Sequence, residues 1–237
     1  MRDGDRGRKV EPCATHTEGS VLASQYESVT FEEIHRHVLH LIPTGPLTVL
    51  DIGAGTGRDA AALSVRGHTV VAVEPAEDLR AVGQRIHAAH DIHWVNDTLP
   101  DLKSLCCQHK RFQLVMLTAV WMFLREDQRR CAASRIDELL EEGGRLGMVI
   151  RSGPAPADRG MYTVSAAETI SLLATSGIRL IHQSQQADAL GRGGVAWNNL
   201  FFEKSSAPER TADASPAVQL QAGRAIHGRP AVVSVEH

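Results

Sequence analysis

The 237-residue chain is sparing in cysteine and in net charge, and it has no long apolar run. Its four cysteines, Cys13, Cys106, Cys107 and Cys131, form no CxxC pair and no His/Cys cluster with zinc-ligand spacing. Neither a disulfide framework nor a zinc module is expected, and free thiols suit a reducing cytoplasm. A formal charge of −3 leaves no broad basic surface, which argues against nucleic acid as a partner. No stretch approaches the roughly 18 apolar residues of a membrane span. The charged start MRDGDRGRKV is followed by no apolar segment, so no secretory leader is expected. His35, His37 and His40 lie close together, but a helix surface accounts for them better than a metal site, and no metal is expected.

What is present is a chain long enough for one α/β domain, with 43% apolar residues. Strand-like runs at 48–52, 69–74, 92–95, 112–118 and 145–150 alternate with helical stretches at 57–66, 76–89 and 126–140. Pro75 opens the second of these helices, where its missing N–H costs least. Ser165 caps a further helix to Thr175, with Glu168 completing a capping box. Segments 178–183 and 194–203 read as an antiparallel hairpin at the sheet edge, and Val29–Leu41 as one helix before the first strand. Alternation of this kind predicts a mostly parallel sheet covered on both faces. Residues 1–20 and 205–237 are polar and lack periodicity, so both are expected to be disordered tails around a domain at 21–204.

The most informative stretch is Asp51-Ile52-Gly53-Ala54-Gly55-Thr56-Gly57-Arg58-Asp59. A buried strand runs into three alternate glycines, which allow a tight turn and close backbone approach to a ligand, and then into a helix N-terminus. A dinucleotide loop prefers G-x-G-x-x-G, whereas the spacing here is G-x-G-x-G. Glu74, followed by Pro75, ends the second strand, where an ionised acid can accept hydrogen bonds from both hydroxyls of a ribose. Asn96, Asp97, Thr98 and Leu99 follow the third strand. Thr118, Ala119, Trp121, Met122 and Phe123 leave the fourth, at the crevice where open α/β sheets bind ligands.

These features resemble motif I and its companions in the class I S-adenosylmethionine-dependent methyltransferases, of the bacterial small-molecule type. The phrases DIGAGTGRDA, RGH-x-V-x-A-V-E-P and L-x-E-G-G-R-L carry the likeness over about residues 21–204. The resemblance implies a Rossmann-like sheet of seven strands in the order 3-2-1-4-5-7-6, with strand seven antiparallel. It also implies S-adenosylmethionine as cofactor and S-adenosylhomocysteine as product. The glycine loop would wrap the methionine and ribose parts, with Asp51 near the ammonium and Glu74 on the ribose. Asp97 or Asn96 would receive the adenine amino group, Leu99 would pack on the adenine, and Thr118 and Ala119 would reach the methionine end.

The acceptor side is less legible. Trp121, Met122, Phe123, Arg192 and Trp197 are the candidates to line it. His35 is a candidate base, since its free pKa lies near 6.5. Tyr26 belongs to an N-terminal segment expected over the site, and Arg151 could hold an acidic acceptor in a bidentate grip. No D/N-P-P-Y/F follows the fourth strand, and neither Thr118 nor Ala119 is acidic, so amino-methylating nucleic-acid enzymes and metal-dependent catechol-type chemistry are not expected. The expectation is metal-independent methylation of N, O or S on a small metabolite, by a monomer or homodimer. A non-catalytic cofactor-binding regulator and an NAD-dependent oxidoreductase are the alternatives.

Overall fold

The computed structural model describes residues 16–155 and 159–206. Seven strands form one sheet in the order β3-β2-β1-β4-β5-β7-β6. They are β1 (Thr48–Ile52), β2 (Thr69–Val73), β3 (Ile92–Val95), β4 (Phe112–Thr118), β5 (Leu140–Ser152), β6 (Ile178–Ala187) and β7 (Ala196–Lys204). β7 runs antiparallel to both β5 and β6, and the other pairs are parallel, as expected.

The central strands read as continuous apolar runs because both faces of the sheet are covered. On one face Leu50, Val115, Leu117, Met148 and Phe202 pack with α5 (Lys103–Cys106), α6 (Glu126–Leu139) and α7 (Ala166–Ala174), through Leu105, Ile136 and Leu173. On the other, Val49, Val70, Leu114, Met116 and Phe201 pack with α2 (Phe31–His35) and α3 (Arg58–Val65), through Phe31 and Leu63. The remaining helices are α1 (His16–Glu27) and α4 (Glu77–Ile86).

The N-terminal region departs from expectation in two ways. α1 begins at His16, inside the stretch read as a tail; residues 1–15 lie outside the described residues, as does the expected tail from 207 onward. The single helix expected over Val29–Leu41 is instead α2, a turn and a 3-10 turn at Leu39–Leu41. The cause is tertiary. The Ile34 carbonyl accepts from Gln186 Nε2 at 2.8 Å, and the Val38 N–H turns to the His35 carbonyl. A bond to β6 therefore replaces one that would have continued the helix. The Ser165 capping box is likewise half made: Ser165 accepts from the Glu168 N–H, but the Glu168 carboxylate goes to Arg129 on α6. β5 starts at Leu140, before the glycine pair expected to separate helix from strand.

Candidate cofactor and acceptor site

The glycine loop sits at the carboxyl end of β1, and its backbone is fixed from two sides. Gly53 and Ala54 donate to the Val73 carbonyl at 2.8 and 2.9 Å, which fastens the loop to the end of β2. Gly55 donates to Glu74 Oε2 at 2.8 Å, and Ala76 donates to Glu74 Oε1 at the same distance. Gly57 caps α3 with φ +86°, a left-handed conformation that glycine adopts without a Cβ penalty. A Cβ there would meet the Trp94 ring at 2.6 Å.

Two acids face this loop. Glu74 is buried, and burial pushes its carboxyl up, against the two backbone N–H bonds that favour the ionised form. Asp51 is 1% exposed, and its Oδ2 has no partner among the described residues. Burial first, then the neighbouring Asp59 and Glu74 charges, hold the Asp51 carboxyl well above the usual carboxylate range, although Arg58 pulls the other way. A buried acid with an orphaned oxygen is suited to a cation that arrives with a ligand.

Beneath the loop lies a buried polar cluster. Asp59 Oδ2 accepts from Thr118 Oγ1 at 2.7 Å and lies 2.8 Å from His35 Nε2, while Asp59 Oδ1 accepts from Arg58 Nε at 2.8 Å. Burial works to raise the Asp59 carboxyl, but Arg58 and His35 override it and hold it far below the usual range. His35 is 0% exposed, with one ring nitrogen committed to Asp59. His35 is thus held against Asp59 within this buried cluster.

α1 covers the loop from above. A Cβ at Gly55 would meet the Tyr26 ring at 3.3 Å, so Tyr26 lies directly against that glycine. Arg58 Nη1 donates to the Tyr26 carbonyl at 3.0 Å, and Thr56 Oγ1 donates to Glu27 Oε1 at 2.5 Å. Burial and the Glu74 charge push the Tyr26 phenol up, which disfavours the phenolate a base would need. Glu27, Thr56, Trp94 and Gly83 are participants the sequence reading missed. Thr56 stood within the glycine motif, but nothing local marked Glu27 as its partner.

Other expected residues sit as follows. Asp97 caps α5 through the N–H groups of Ser104 and Leu105 at 2.7 and 3.3 Å on Oδ2 and accepts from Thr98 on Oδ1, while Asn96 is exposed. Leu99 is buried in the core. Pro75 is exposed beside Glu74. Ala119 follows β4 at φ +61°, a strained conformation for a residue with a Cβ. Trp121 and Met122 are buried at 1% and 2% exposure, and Phe123 is exposed. Arg151 Nη1 donates to the Pro154 carbonyl at 2.6 Å and so braces its own loop. Arg192 is held by Asp188 at 2.6 and 3.0 Å, and Trp197 Nε1 donates to the same carboxylate at 2.8 Å. Among the described residues, no three His, Cys, Asp or Glu side chains converge as a metal site. No described helix is long and apolar enough to cross a membrane.

Residues 49–144 match a family model described as a methyltransferase domain. That segment is similar to the methyltransferase domain in sequence. The matched segment runs from β1 to the start of β5 and includes the glycine loop, Glu74 and Thr118. A search of the curated proteins finds no match. Among solved structures, the chain is similar to the Burkholderia thailandensis 1,6-didemethyltoxoflavin-N1-methyltransferase with bound 1,6-didemethyltoxoflavin and S-adenosylhomocysteine. That likeness has 20% identity and a TM-score of 0.57, and covers 83% of this chain and 93% of the other. The N-methyltransferase NodS from Bradyrhizobium japonicum, in complex with S-adenosylhomocysteine, shares 17% identity at a TM-score of 0.58, over 74% and 88% of the two chains. The magnesium protoporphyrin IX methyltransferase of Synechocystis, with bound S-adenosylmethionine, shares 14% at 0.58, over 82% and 86%. At these identities the likeness concerns the fold alone.

Proposed function

We propose that the protein methylates a nitrogen, oxygen or sulfur atom of a small-molecule metabolite, using S-adenosylmethionine and no metal. The observation that carries this reading is the pair of acids at the glycine loop. Glu74 already holds two backbone N–H groups, and ionised carboxylates accept more than two hydrogen bonds, so it can take the ribose hydroxyls. The unpartnered Asp51 oxygen suits the ammonium. Asn96, exposed after β3, or Asp97, whose Oδ1 accepts only from Thr98, would receive the adenine amino group.

When bound, S-adenosylmethionine supplies a sulfonium methyl that an acceptor lone pair displaces in line, the carbon–sulfur pair passing to sulfur. The residues of the chain contribute alignment and exclusion of water. Alignment can supply about 7–11 kcal/mol of barrier reduction. α1, through Tyr26, shields the loop from solvent, and the acceptor's proton passes to water or to a group on the acceptor itself. The neighbours named for small acceptors, 1,6-didemethyltoxoflavin and magnesium protoporphyrin IX, favour a metabolite over a macromolecule.

Calorimetric titration with S-adenosylmethionine, S-adenosylhomocysteine and NAD tests the cofactor, and transfer of labelled methyl to a metabolite panel tests the activity. Binding of the first two without NAD supports the reading. Binding without turnover across a broad panel would instead favour a non-catalytic regulator, and binding of none would remove the glycine loop from the site.

A further inference from the structure

The Thr118 hydroxyl is constrained in a way that says what it can meet. Its proton is committed to Asp59 Oδ2 at 2.7 Å. Asp59 is an acceptor that Arg58 Nε and His35 Nε2 also engage, each at 2.8 Å, so it cannot return a proton to the threonine, and His35 Nε2 lies a further 3.5 Å from Thr118 Oγ1. Thr118 Oγ1 therefore faces any ligand as an acceptor only. The side chain is partly exposed, at the carboxyl end of β4 and immediately before the strained Ala119.

Its place relative to Asp51 separates two possible ligands. Asp51 pairs in register with Met116, and Thr118 lies two residues further along the same face of β4, about 7 Å toward the rim at the usual rise per residue. Asp51, with its buried Oδ2 unpartnered, suits an ammonium that draws it into its ionised form. Thr118 has no charge to offer and lies a step outward, ahead of the Trp121–Phe123 turn. On the methyltransferase reading, we infer that Thr118 Oγ1 accepts a hydrogen bond from the methyl acceptor. Asp59 and His35 act through it as positioning residues. The acceptor is accordingly a protic nucleophile, an amine, a hydroxyl or a ring N–H, and its reacting lone pair is oriented by the bond its own hydrogen makes to Thr118.

Sinefungin tests this without knowledge of the acceptor, because it carries an amine where the transferred methyl would be, whereas S-adenosylhomocysteine has nothing there. Both carry the same α-ammonium. Thr118→Val is expected to weaken sinefungin by about tenfold or more while leaving S-adenosylhomocysteine within about twofold, the scale of one hydrogen bond to a charged group. Thr118→Ser should restore sinefungin, which a packing defect would not allow. Equal weakening of both ligands, or no change in either, overturns the placement of Thr118 on the acceptor side while leaving the cofactor reading intact. If wild-type protein binds neither ligand, the methyltransferase reading fails, and this inference with it.

Discussion

Glu27, at the last position of α1, accepts a hydrogen bond from Thr56 at the centre of the glycine loop, at 2.5 Å. The helix that covers the loop is therefore tied to the loop itself. Burial opposes ionisation of Glu27, but the bonds from His87 and Thr56 prevail and keep its carboxyl below the usual range. Thr56→Val or Glu27→Gln should loosen α1 and speed dissociation of S-adenosylhomocysteine by about tenfold, the equivalent of one bond to a charged group. Stopped-flow dissociation rates check this, and unchanged rates would mean that the helix does not govern release.

Glu74→Ala should weaken S-adenosylmethionine binding by about 1.5–3 kcal/mol. The same change leaves the Gly55 and Ala76 N–H groups without their acceptor, so Glu74→Gln is the better control. It keeps one acceptor oxygen and should lose less. Titration calorimetry on both variants decides, and equal affinity in Glu74→Ala would exclude the ribose role.

Asp51 links pH, stability and binding. Its folded-state pKa is raised, so below the ordinary carboxylate range both folded and unfolded forms are protonated and the residue is neutral in its effect. As pH rises past that range, the unfolded chain ionises first and stability falls until the folded pKa is passed. Asp51→Asn should remove this loss, raising ligand-free stability at neutral pH by about 1–3 kcal/mol while lowering affinity for S-adenosylmethionine. Binding to the wild type should release up to about one proton, as the ammonium draws Asp51 into its ionised form. Calorimetry in buffers of different ionisation enthalpy measures that release; a buffer-independent enthalpy would argue against Asp51 as the counter-ion.

Gly83 lies in the middle of α4, where alanine would ordinarily favour the helix by about 1 kcal/mol. Here a Cβ would meet the Thr56 carbonyl at 2.5 Å and the Trp94 ring at 2.6 Å. Gly83→Ala should therefore destabilise by about 1–3 kcal/mol through overpacking and weaken cofactor binding by displacing Thr56. Chemical denaturation, with titration of the same variant, tests both effects; a gain in stability would show that the loop yields without cost.

Asn199 is fully buried on β7, and neither of its amide atoms has a partner among the described residues. Leucine has a similar shape and no such requirement. Asn199→Leu should stabilise the protein by about 1–3 kcal/mol, since an unpaired buried amide forfeits its hydration. A lower midpoint in urea would show that the amide is satisfied in solution.

The sheet was legible because its information is local. Apolar runs such as Val49–Ile52 and Val70–Val73 are continuous where a strand is buried on both faces, and glycine or proline punctuates their ends. The cofactor loop was legible for the same reason: three glycines and an acid at fixed spacing specify a turn whatever surrounds it. The helix over Val29–Leu41 was misjudged because its periodicity was right. Phe31, His35 and Val38 do share a buried face, but a β6 side chain, Gln186, captures the carbonyl the helix needed.

By itself, then, the sequence determined the strand–helix alternation, the glycine loop and Glu74 at the end of β2, since each depends on contacts within a few residues of chain. Tertiary structure alone decided which polar groups meet: His35 with Asp59 and Thr118, and Glu27 with Thr56, across separations of 24 to 83 positions. It also decided that Trp121 and Met122 are buried, that Asp97 caps α5, and that His35 is buried against Asp59. The physical reason is that a hydrogen bond between side chains is set by where the packed elements place their ends, and no local spacing in the chain encodes that position.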